Sequence, residues 1–183
     1  ALSRLGFLYK QLKDTDKAID YIVKFTDMYS MAMEYSADKD ILNDLLNGYD
    51  ALTKLYKGIM DSENEEKYLT KFRDLIMEIC QREDSIENRR KLLESQQKLA
   101  DFLLEHKRPQ EALELHLAVM RIKQYLMPQN ADVKEYFALA DFCRKLADRY
   151  KNEGYDDQAL ELYKESKARY EKNGQYIEDN YNI

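Results

Sequence analysis

Two histidines and two cysteines are the natural starting material for a metal site, a thiol nucleophile or an imidazole base in this 183-residue sequence. His106 precedes Lys107, Arg108 and Pro109 in a turn, and His116 falls in a helical stretch. Neither has cysteine or carboxylate neighbours at metal-ligand spacing. Cys80 and Cys143 lie far apart, which suits buried thiols in a reducing compartment better than a disulfide framework. The acidic run from Asp61 to Glu66 lacks the glycine and the ligand spacing of a calcium loop, and helix capping accounts for it. Five scattered glycines form no phosphate loop, nucleophile elbow or dinucleotide turn. The expectation is therefore a protein that is not an enzyme and takes no cofactor and no metal.

Charge and composition narrow the partners. Thirty-five acidic residues against 29 basic ones leave a net charge of −6, with no Lys/Arg run that could track a phosphate backbone, so nucleic acid is not expected. The longest stretch without a charged side chain, Gln124 to Ala131, is far below the roughly 20 apolar residues of a membrane helix. No membrane partner is expected. The first residues hold neither an initiator Met nor a signal segment, so the start reads as an internal boundary and the location as cytoplasm or nucleus. Five Gly and two Pro are too few turn formers for a many-stranded fold.

The elements that position these residues repeat. An offset of 47 aligns the chain without gaps: Leu5-Gly6-Phe7-Leu8-Tyr9, Leu52-Thr53-Lys54-Leu55-Tyr56, Leu99-Ala100-Asp101-Phe102-Leu103 and Leu146-Ala147-Asp148-Arg149-Tyr150. Ala18, Glu65, Ala112 and Ala159 follow in the same register, then Tyr21, Tyr68, Leu115 and Leu162. Thr15, Ser62, Pro109 and Asp156 are suited to open each second helix, with Ser62 and Glu65 spaced as a capping box. Asp38, Ser85 and Asp132 open each first helix, Asp132 and Glu135 repeating the capping-box spacing. Apolar residues three and four apart between these marks predict eight helices, at 1–12, 15–36, 39–60, 63–82, 85–106, 109–127, 133–153 and 156–177.

The repeat resembles the tetratricopeptide family. Leu5, Gly6, Tyr9 and Ala18 match its helix-turn-helix signature in the first unit; Tyr49, Leu52 and Tyr56 in the second; Leu99, Ala100 and Ala112 in the third; Leu146, Ala147, Tyr150, Ala159 and Tyr163 in the fourth. The units are longer than the usual repeat, and the signature Trp is replaced by Leu2, Tyr49, Gln96 and Cys143. The resemblance implies an all-α, superhelical solenoid of four tetratricopeptide-like repeats. The units are 1–37, 38–84, 85–131 and 132–178, with 179–183 opening a truncated further unit at Asp179, as if the array were cut from a longer chain.

In the resembled fold the first helices line a concave groove. Positions beside the core stripe are Asn47, Asp50, Lys54 and Lys57 in the second unit, Glu94, Gln97, Asp101 and Glu105 in the third, and Asp141, Arg144, Asp148 and Lys151 in the fourth. Glu94, Asp101 and Glu105 make its middle acidic. Leu104 and Phe7 are the candidate apolar anchors. The expected function is a protein-interaction scaffold that binds a peptide or helical segment carrying basic residues. The alternatives are a regulatory or ligand-sensing region of a larger enzyme or signalling protein, and a structural module that associates end to end. Tyr21, Tyr49, Tyr56, Tyr68, Tyr150 and Tyr163 hold core register, while Tyr125, Tyr170, Tyr176 and Tyr181 are contact residues or interfacial rings.

Overall fold

The computed structural model describes residues 2–35, 38–128 and 133–181. Among the described residues eight α-helices follow in order: α1 (Leu2–Gln11), α2 (Thr15–Tyr35), α3 (Lys39–Gly58), α4 (Ser62–Arg82), α5 (Ile86–Glu105), α6 (Pro109–Tyr125), α7 (Val133–Asn152) and α8 (Asp156–Tyr181). There is no strand among the described residues. Most helix limits fall within two residues of those read from the apolar spacing. The exception is α8, which runs on to Tyr181 and so contains Asp179 instead of starting a further helix there. A capping residue opens a helix only where the preceding turn has broken, and no proline stands ahead of Asp179 to break it. The cap expected at Asp132 and the side chains of Tyr176 and Tyr181 lie outside the described residues.

The four hairpin turns are copies of one another. Lys13, Met60, Lys107 and Gly154 all have positive φ, at 60°, 59°, 59° and 84°, and each stands 47 residues after the last. Around each, the residue's N–H bonds to the carbonyl three back and the next N–H to the carbonyl five back, as in Met60 to Lys57 and Asp61 to Tyr56. This is the Schellman arrangement, which satisfies carbonyls left unpaired at the helix end. The second helices then start one residue after their caps. Asp61 accepts from the Asn64 amide at 3.1 Å, so the cap is Asp61 where the sequence pointed to Ser62. Asp14 likewise accepts from Lys17. Asp38 and Ser85 cap first helices as expected, by accepting from the amides of Asp40 and Asn88.

The chain divides within α5 into two compact units, Ala1–Ser95 and Gln96–Ile183. In the first, Ala18, Ile22, Leu42, Leu45, Leu52, Tyr68 and Leu75 form a buried cluster, each fully buried aliphatic contributing about 2 kcal/mol. Tyr9 stacks on Tyr21 and, 47 residues on, Tyr56 stacks on Tyr68, with planes within 6° of parallel in both. Gly48 lets α3 approach α2 closely: a Cβ there would stand 2.4 Å from Thr26 Cγ2. Thr26 cannot turn away, because its hydroxyl donates to the Val23 carbonyl. In the second unit Leu113, His116, Val119, Met120, Ala140, Cys143, Ala147, Tyr150, Ala159 and Leu162 are buried. The Trp-equivalent positions Tyr49, Gln96 and Cys143 are buried, as core register requires.

Candidate functional site

The first helices place the expected groove residues in three different settings. On α3, Asn47, Lys54 and Lys57 are exposed, and Lys54 donates to a half-buried Asp50 at 2.5 Å, one turn earlier. On α7, Arg144 bridges Asp141 and Asp148 at 3.3 and 3.2 Å, and Lys151 is exposed. These carboxylates also accept from α8. The Tyr163 hydroxyl donates to Asp148 at 2.5 Å, and that of Tyr170 to Asp141 at 2.7 Å. The hydrogen bond from Tyr170, with Arg144 behind it, holds the Asp141 carboxyl below its usual range, and the bond to Asp148 raises the Tyr163 hydroxyl.

On α5 the setting is a polar cluster joined to α6 and α7. Gln97 donates to Asp101 at 3.2 Å and stands 3.2 Å from Nε2 of His116, a fully buried residue of α6. The other ring nitrogen of His116 lies 2.9 Å from the buried Tyr150 hydroxyl. The ring of His116 thus lies between Gln97 and Asp101 on its Nε2 side and Tyr150 on its Nδ1 side. Arg149 closes the cluster by an ion pair to Asp101. Burial pushes the Asp101 carboxyl up, but His116, Arg149 and Gln97 around it outweigh that and hold it down at about 2. Burial raises the Tyr150 hydroxyl. Tyr150 and His116 are sealed from solvent while Gln97, Asp101 and Arg149 are half-buried, and the cluster ties three helices together.

Two expectations about the groove change. Leu104 is only 1% exposed and belongs to the core, so it is no anchor for a partner. It shares register with the exposed Lys57 and Lys151, but an aliphatic side chain at that position gains more from burial than from lining a wet surface. Asp101 is no free acid, because Arg149 compensates its charge; Glu94 and Glu105 are exposed. Phe7 is more than a third exposed. Among the six tyrosines in core register, Tyr49, Tyr68 and Tyr150 are buried, and Tyr21, Tyr56 and Tyr163 are half-buried.

The part played by His116 has a signal in the repeat. Asp101 and His116 stand in the same register as Asp148 and Tyr163, and both pairs bring a first-helix carboxylate to a polar second-helix ring. Arg149 is out of that register, 48 residues from Asp101, and periodicity does not reveal it. No group of three or more His, Cys, Asp or Glu among the described residues could hold a metal ion. No described helix is long and apolar enough to cross a membrane.

No protein-family model matches the chain, and no curated protein matches it. Among solved structures, BtubC (BKLC) from P. vanneervenii is similar at 20% identity and a TM-score of 0.50, over 92% of this chain and 61% of that one. The fold is an all-α helical repeat of helix-turn-helix units. The chain spans about three fifths of the length of BtubC. The DHF119 filament protein matches at 16% identity and a TM-score of 0.43, over 89% of this chain and 86% of that one. A kinesin-light-chain-type protein of Podosopora anserina with nearly identical TPR-like repeats matches at 16% identity and a TM-score of 0.30, over 93% and 94% of the two chains.

Proposed function

We propose that this chain is a protein-interaction scaffold that binds a peptide or helical segment of a partner in the concave groove of its tetratricopeptide-like repeat. The observation that supports this reading is the setting of the first helices. Beside the core stripe of the first helices, Asn47, Lys54 and Lys57 of α3, Glu94 and Glu105 of α5, and Arg144 and Lys151 of α7 stand exposed, while residues a turn away fill the core. Exposed charges of this kind govern a partner's specificity and association rate more than its total affinity. Glu94 and Glu105 select a segment with basic residues, and apolar anchoring falls to residues other than Leu104.

The test is binding of helical peptides with central Lys or Arg, measured by calorimetry at several salt concentrations. Changing Glu94 and Glu105 together to Gln weakens binding and flattens its salt dependence, with melting unchanged. Asp101 stays intact in this experiment, because its removal would take from Arg149 its partner on α5. Glu114→Gln on the second helix α6 is the control. Equal losses from the two variants would refute the groove and leave the fold untouched.

A further inference from the structure

The seam where α6 meets α7 corresponds in the repeat to the seam of α2 and α3, and it is built from different residues. Gly48 of α3, where a Cβ would stand 2.4 Å from Thr26, has Phe142 of α7 as its counterpart two units on. A ring does not fit where only a hydrogen does, and α6 and α7 pack together much more sparsely than α2 and α3. Lys123 of α6 shares its repeat position with Tyr29, Ile76 and Tyr170, of which Ile76 is buried and the tyrosines half-buried. A charged residue in such a row breaks the local pattern, and breaks of this kind mark places with work other than packing. The Lys123 ammonium lies 4.7 Å from the centre of the Phe142 ring.

Between the two helices this leaves a recess of about 370 Å³. Ala138, Leu139 and Phe142 of α7, with Met127 just past α6, give it an apolar lining. Along α7 the lining runs from Glu135 to Lys145, about 15 Å at 1.5 Å per residue. Lys123, over Phe142, shares the end held by Lys145. Neither lysine makes an ion pair with a carboxylate of the described residues. The charge of Lys145 reaches Asp141, but Arg144 and the Tyr170 hydroxyl already hold that carboxylate. The recess therefore has an apolar stretch, a doubly cationic end and a single acid at the other end.

We propose that this recess docks a segment of a partner protein in which one or two apolar side chains adjoin a pair of carboxylates. The apolar side chains meet Met127, Ala138 and Leu139, and the carboxylates meet Lys123 and Lys145. Glu135 repels a carboxylate at the apolar end, so charge fixes the direction in which the segment lies. The length suits four or five residues of extended chain at about 3.3 Å each, more than a single small acid spans. Lys123 is suited to the role because its stem covers the ring while its charge stays available to an anion. These residues are not the expected groove positions, and the partner has the opposite charge, so the inference stands or falls independently of the proposed function.

The probe is a fluorescein-labelled peptide Ser-Leu-Phe-Glu-Glu-Ser with blocked ends, titrated with the intact 183-residue protein and followed by anisotropy at several salt concentrations. Binding should saturate and weaken with salt. Lys123→Met with Lys145→Gln, which keeps an unbranched stem over the ring, should weaken it about tenfold and flatten the salt dependence, with circular dichroism unchanged. Ala138→Glu, at an exposed helix position, should weaken it as well, and Lys151→Gln should not. The reversed peptide Ser-Glu-Glu-Phe-Leu-Ser should bind more weakly than the parent. The inference is overturned if the parent peptide fails to saturate, or if its affinity ignores both the double variant and Ala138→Glu. Equal binding of the reversed peptide overturns it too, since undirected charge attraction then suffices. So does displacement by glutarate at the peptide's own concentration, because the ligand is then a free dicarboxylate, and so does a dimer in light scattering that the double variant abolishes, because the occupant is then a second copy.

Discussion

Met60 and Gly154 occupy the same backbone position of the same turn, two units apart, and replacing each by the other's kind should move stability in opposite directions. Met60 has φ 59° and its side chain is 89% exposed, so removing that side chain forfeits almost no buried area. A left-handed backbone costs an L-residue roughly 1–2 kcal/mol, and glycine gives back about 0.5–1 kcal/mol through the extra freedom of the unfolded chain. Met60→Gly should therefore stabilise by about 0.5–1 kcal/mol. Gly154 has φ 84° with open space around a would-be Cβ, so Gly154→Ala meets no clash and should destabilise by about the same amount through the backbone alone. Both variants keep the turn's hydrogen bonds, from Met60 to Lys57 and from Gly154 to Lys151. Urea denaturation reads the result as a shift in midpoint at constant slope, and melting as about 2–4 °C per kcal/mol. A neutral or destabilising Met60→Gly together with a harmless Gly154→Ala would refute the account of these turns.

Gly48→Ala should destabilise by about 1–3 kcal/mol, because its Cβ meets a pinned Thr26, whereas Gly58→Ala has open space and should gain up to about 1 kcal/mol of helix propensity; chemical denaturation of the two variants measures both. Tyr150→Phe leaves His116 without its buried hydroxyl partner and should cost about 1–3 kcal/mol, with the imidazole nitrogen shifts changing in NMR spectra. Asp101, held at about 2 when folded against an ordinary 3.8, contributes stability that is present above pH 3.8 and lost as pH falls toward 2. The full difference is worth about 2 kcal/mol, and the 35% exposure of the side chain discounts this to about 1 kcal/mol. Asp101→Asn should remove that part of the acid sensitivity in a pH series of denaturation midpoints.

The helices were legible because long apolar periodicity leaves little freedom in where a helix lies. The turns were half legible. Gly154 announces a left-handed residue, but Lys13, Met60 and Lys107 do not, because nothing in a lysine or methionine side chain favours positive φ. Asp61 and Ser62 are both able caps, and the choice between them was made by the Schellman turn that places Asp61 outside the helix. Leu104, an expected apolar anchor, holds the register of the exposed Lys57 and Lys151, and spacing alone does not tell an aliphatic residue that lines a groove from one that the core takes in. The tie of Asp101 to His116 follows a repeat position shared with Asp148 and Tyr163. The pairing with Arg149 depends on how α7 packs within its unit, which one-dimensional spacing does not record.

The two cysteines divide between the units, Cys80 in the first and Cys143 in the second, and both are buried, Cys143 with its thiol directed to the Met120 sulfur. Burial, the leading cause, raises both thiols above their ordinary range, so neither is a ready nucleophile while folded. Each unit consequently carries an internal clock for its own opening. Alkylation of Cys80 or of Cys143 proceeds only as fast as the surrounding helices part, and mass spectrometry of the two cysteine peptides over time would give two separate opening rates from one unmodified protein.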